Sequence, residues 1–65
     1  MEKEKIVDRI IEEYYRLEER TPISSSVKKM KEIFMSTKAD INLLAERLSE
    51  IEQLTVEEYN LLKAS

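Results

Sequence analysis

The sequence predicts an all-α fold, and three observations predict it. The 65-residue chain has no glycine and one proline, Pro22, which removes the residues that tight hairpin turns and phosphate-cradling loops need. Apolar residues recur at intervals of three and four over two long stretches, the spacing of a helix face. The stretch Leu54-Thr55-Val56-Glu57-Glu58-Tyr59 combines a capping box, Thr55 with Glu58, and a hydrophobic staple, Leu54 with Tyr59.

The first helix is expected over about residues 2–20. Ile6, Val7, Ile10, Ile11, Tyr14 and Leu17 form its apolar stripe. Tyr15 lies beside that stripe and is read as a rim residue facing a partner. Residues 21–25 are the linker: Pro22 disfavours a helical Thr21, a serine can cap the next helix, and Ile23 is expected to tuck against the bundle end. A connection this short implies adjacent antiparallel helices.

The second helix is expected over about residues 26–54. Val27, Met30, Phe34, Thr37, Ile41, Leu44, Leu48 and Ile51 make one heptad stripe, a coiled-coil signal. Thr37 with Asp40 also resembles a capping box, so a kink or break at Thr37 is the alternative. Because the heptad runs through without a change of phase, a continuous helix is the preferred reading. The last helix is short, about residues 56–63, with Val56, Tyr59 and Leu62 facing inward; Leu61 is read either as a fourth inward residue or as part of an exposed contact surface.

Length then raises the question of burial. A helix over residues 26–54 is about 43 Å long, whereas the first covers about 28 Å. The uncovered stripe predicts a dimeric helical bundle whose interface includes Phe34, Ile41, Leu44, Leu48, Ile51, Tyr15 and Met35. Lys28, Lys29, Lys31 and Lys38 make the start of the long helix positive, and Glu46, Glu50 and Glu52 make its end negative. That polarity opposes the helix dipole and favours an antiparallel pair. The plainer alternative pairs Lys28, Lys29 and Lys31 with Glu12, Glu18 and Glu19 of the first helix. Leu43 and Leu61, with Tyr15 and Met35, are the candidates for an exposed apolar contact surface.

Chemistry finds little support. With no cysteine and no histidine, the common metal ligands, general bases and thiol nucleophiles are missing. Ser24, Ser25 and Ser26 have no activating partner, and the acidic pairs Asp8/Glu12 and Glu46/Glu50 read as solvated helix faces. No catalytic, cofactor or metal site is therefore read from the chain. A net charge of −3 disfavours generic nucleic-acid binding, although Lys28, Lys29 and Lys31 could supply phosphate contacts. No apolar run approaches the roughly 20 residues of a membrane span. The expectation is a cytoplasmic, non-enzymatic interaction protein (an adaptor, inhibitor or assembly factor) whose partners are itself, as a homodimer, and another protein. A small nucleic-acid-associated regulator is the alternative.

Overall fold

The computed structural model describes residues 2–65, which form four helices and no strand. They are α1 (Glu2–Glu18), α2 (Ser24–Ser36), α3 (Ile41–Glu52) and α4 (Val56–Ala64). The all-α fold is as expected, but the long second helix is not present. It is two helices, α2 and α3, separated at Thr37–Asp40.

The residues that resembled one capping box serve two different helix ends. The Thr37 hydroxyl donates to the Phe34 carbonyl at 2.9 Å and closes α2. The Asp40 carboxylate accepts from the Asn42 backbone N–H at 2.9 Å and opens α3. The heptad keeps its phase across the break because Phe34 to Ile41 is seven residues whether or not the link is helical. Both halves of the stripe face the same helix, α1, from different sides. The length mismatch is therefore resolved within the chain: the second half folds back along α1 instead of extending past it.

Helix α1 is the hub. Its 17 residues, about 26 Å of helix, pack against α2, α3 and α4, which do not pack backbone to backbone on one another. Val7, Ile10, Ile11, Tyr15 and Leu17 of α1 are buried, and Leu44 of α3 closes over them. Val27, Met30 and Phe34 of α2 and Leu48 and Ile51 of α3 are half-buried against this core. The two adjacent tyrosines exchange their expected roles. Tyr15 is 6% exposed and belongs to the core, whereas Tyr14 is 38% exposed, with its ring edge-on to Tyr15 at 5.8 Å. An α1 face that meets three helices is wider than a single stripe, so it takes in the position next to the stripe.

With no glycine in the chain, the helix C-termini are closed by other means, and α1 supplies most of them. The Lys3 ammonium donates to the carbonyls of Thr37 and Met35 at 3.0 and 3.4 Å, at the end of α2. The Arg16 guanidinium donates to the carbonyls of Leu54 and Ile51 at 2.9 and 3.2 Å, at the end of α3. Both place a cation at the negative end of a helix dipole while satisfying carbonyls that have no intrahelical donor. The end of α1 itself is a Schellman turn: Arg20 N–H donates to the Tyr15 carbonyl at 3.1 Å and Glu19 N–H to the Arg16 carbonyl at 3.2 Å. Glu19 occupies the left-handed position, φ 53°, that glycine usually takes.

Other ends differ from expectation. Helix α1 stops at Glu18, and α2 starts at Ser24 with Ile23 as its N-cap and no side-chain cap, so no serine caps it. Ile23 is 55% exposed and is not tucked against the bundle. At α4 the capping box is present: Glu58 N–H donates to Thr55 Oγ1 at 3.1 Å, and the Thr55 hydroxyl donates to Glu58 Oε1 at 3.1 Å. Among the described residues, no helix is long and apolar enough to cross a membrane.

Candidate functional site

Three helices packed around α1 leave a seam where their ends meet, and it remains open as an apolar groove of about 310 Å³. Helix α1 contributes its floor, Ile10 and Leu17, and one lip, Tyr14. Helix α2 adds Met30 and Phe34, and α3 adds Ile51. The staple pair Leu54 and Tyr59 forms the far wall, where α3 hands over to α4. One cation, Arg47, stands among these apolar side chains, and no carboxylate within 4 Å pairs with it among the described residues.

The far wall is held by a polar cluster. The Tyr59 hydroxyl donates to Glu18 Oε1 at 2.5 Å, and the Lys63 ammonium donates to Glu18 Oε2 at 3.0 Å. Lys63 also lies 5.3 Å from the Tyr59 ring centroid, within cation–π range. The Tyr59 hydrogen bond, followed by that from Lys63, holds the Glu18 carboxyl below its ordinary range. Accepting from Tyr59 stabilises the neutral phenol, and burial disfavours the phenolate, so Tyr59 is pushed up to about 12. This cluster fixes α4 by a single turn of α1. Val56 and Tyr59 face inward, but Leu62 is 64% exposed, contrary to its expected inward orientation, and Leu61, at 71% exposed, belongs to the outer contact surface.

The residues proposed from sequence for a partner interface fall into distinct places. Leu44 and Tyr15 are buried within the chain and present no surface to a partner. Ile41 is half-buried, and Met35 and Leu48 are half-buried against the core. Phe34 and Ile51 line the groove, and Leu43 and Leu61 are exposed as expected. Sequence reading did not single out Tyr14, Arg47, Leu54 and Tyr59 as one surface. The Leu54–Tyr59 staple was the available signal, since it marks a corner where two helix ends bring apolar side chains together.

The lysine cluster is divided. Lys31 bonds Glu4 Oε1 at 2.8 Å and lies 3.2 Å from Asp8 Oδ1, both on α1. Its partners are thus not the expected Glu12, Glu18 and Glu19. The hydrogen bond to Glu4 raises the Lys31 pKa and, reciprocally, lowers that of Glu4. Lys28 and Lys29 are exposed and have Glu32 one turn further along the same helix. The charge reversal along one long helix also dissolves, because its positive part is α2 and its negative part is α3. That reversal therefore no longer argues for an antiparallel pair.

No group of three or more His, Cys, Asp or Glu side chains that could hold a metal ion occurs among the described residues. Compared with known proteins, the chain matches no family model, no curated protein and no solved structure.

Proposed function

We propose that this chain is a small non-enzymatic interaction module that self-associates and presents a helical apolar surface, acting as an adaptor, inhibitor or assembly factor. One observation carries the reading: the groove between α1, α2, α3 and the α3–α4 corner is almost wholly apolar and lies open to solvent. Exposed Leu43, Leu61, Leu62 and Ile33 add apolar area beyond the groove. In a 65-residue chain with six buried core side chains, an uncovered apolar surface works against stability unless something covers it.

The accessible surface supports the same reading. A compact monomer of 7.7 kDa exposes about 4,300 Å² by the usual scaling, and this chain exposes 5062 Å². Sedimentation velocity between 1 and 100 µM (about the range of weak to moderate self-association) tests it. A dimer that strengthens with concentration is expected, and a monomer throughout refutes self-association.

The alternative, a nucleic-acid-associated regulator, rests on Lys28 and Lys29 alone once Lys31 is tied to α1. A salt-dependent shift of duplex DNA or RNA that is lost in the variant K28Q/K29Q would favour it.

A further inference from the structure

We infer that the occupant of the apolar groove is α4 of a second copy of this chain, so that two copies close symmetrically with each α4 seated on the other. The inference rests on the self-association reading above and adds the surface by which it occurs.

Helix α4 has two apolar sides. Val56 and Tyr59 turn towards its own chain, with Tyr59 bonded to Glu18. Leu61 and Leu62 project from the other side and are the most exposed large apolar residues of the chain. A nine-residue helix with leucines on its free side is what a second groove of the same kind would accommodate.

Charge narrows the choice of occupant. The groove carries one unpaired cation, Arg47, so its occupant should bring a carboxylate at the rim. Glu57 precedes Leu61 by four residues and shares its side of α4, one turn away. Among the described residues Glu57 has no ion pair or side-chain hydrogen bond, whereas neighbouring Glu58 is engaged by Thr55. By contrast, the exposed apolar residue on α2, Ile33, follows Lys29 by four residues and would bring a cation towards Arg47.

Symmetry is satisfied by the same placement. A two-fold interface must use one self-complementary patch in which groove and ridge lie together. Tyr59 is in the groove wall, and Leu61 and Leu62 follow it within one turn, so the wall and the inserted ridge share a helix. Two α4 helices crossing at the axis place each ridge beside the other's groove without leaving an open end for further copies.

The test uses the full chain and four variants, by sedimentation velocity and by circular dichroism with denaturant unfolding. L61E/L62E changes only exposed side chains, so it should stay folded while its dimer weakens at least tenfold. R47E and E57R should each weaken the dimer, and R47E/E57R together should restore it, because both contacts across the axis are then reversed. Dimerisation unaffected by L61E/L62E overturns the inference and leaves self-association standing on another surface. A wild-type monomer at 100 µM overturns both. Failure of the double charge reversal to recover what the single changes lose overturns the Arg47–Glu57 contact and, with it, the choice of α4 as occupant.

Discussion

Tyr59 and Glu18 are joined by a 2.5 Å hydrogen bond that ties the last helix to the end of the first. Lys63 reaches the same carboxylate, and among the described residues no other α4 side chain is hydrogen-bonded to α1. The polar attachment of α4 to α1 therefore runs through one carboxyl group, beside the apolar packing of half-buried Val56 and Tyr59.

Acid should release α4 before it unfolds the bundle. Glu18 has a lowered pKa in the folded chain, so its contribution is complete above the ordinary carboxylate pKa. That contribution is lost as pH falls through the lowered folded value. Protection of the α4 amides, relative to their intrinsic exchange rate at each pH, should fall over that acidic window while the Val7–Leu44 core stays protected. In Glu18→Gln the acid-dependent loss of α4 protection should disappear; a wild-type response retained in that variant counts against the mechanism.

Alkali acts on the other partner. Tyr59 is raised to about 12, so the stability it adds is present below the ordinary value of 10.0 and lost as pH rises through about 12. Ultraviolet titration should show a tyrosine step at about 12, and Tyr59→Phe should remove that late step. A late step that survives the substitution assigns it elsewhere.

Glu19 holds a left-handed conformation that costs a residue with a Cβ roughly 1–2 kcal/mol. Glu19→Gly removes that cost but adds entropy to the unfolded chain, so a net gain of about 0.5–1 kcal/mol is expected. Urea unfolding measures it, and a loss of stability contradicts the Schellman assignment.

Arg16 is the C-cap of α3. Arg16→Ala leaves the Leu54 carbonyl without its donor and the Ile51 carbonyl with only backbone N–H donors, and should cost about 1 kcal/mol. Arg16→Lys should recover part of this, since an ammonium can reach one carbonyl but lacks the planar fork. Equal stability of all three forms would mean that water serves those carbonyls as well.

Leu44 separates the core from the remainder of the heptad stripe. Leu44→Ala should cost about 2–4 kcal/mol, a large part of what a domain this small possesses. Ile33→Ala, at an exposed position, should change stability by less than about 0.5 kcal/mol. Chemical denaturation of the two variants side by side checks the contrast.

Local patterns foretold the local features. The Thr55–Glu58 box, the Leu54–Tyr59 staple and the α1 stripe are short-range, and a helix face or a cap is decided within a few residues. The heptad from Val27 to Ile51 was legible as a buried face but not as two helices. A seven-residue repeat records which side is apolar, and a four-residue link across Thr37–Asp40 leaves that record unchanged.

Two further outcomes needed the whole molecule. Tyr15 is buried and Tyr14 exposed because α1 meets three helices, and the width of its covered face depends on where those neighbours settle. Lys3 and Arg16 cap helices more than 30 residues away, a role that no spacing announces. By itself the sequence determined an all-α chain, its apolar faces and the start of its last helix, since periodicity and capping are local physics. Tertiary structure alone decided that the stripe folds back on α1, and that the four helices leave one apolar groove uncovered. Those choices rest on which surfaces can reach one another, and a 26 Å hub cannot cover everything that packs around it.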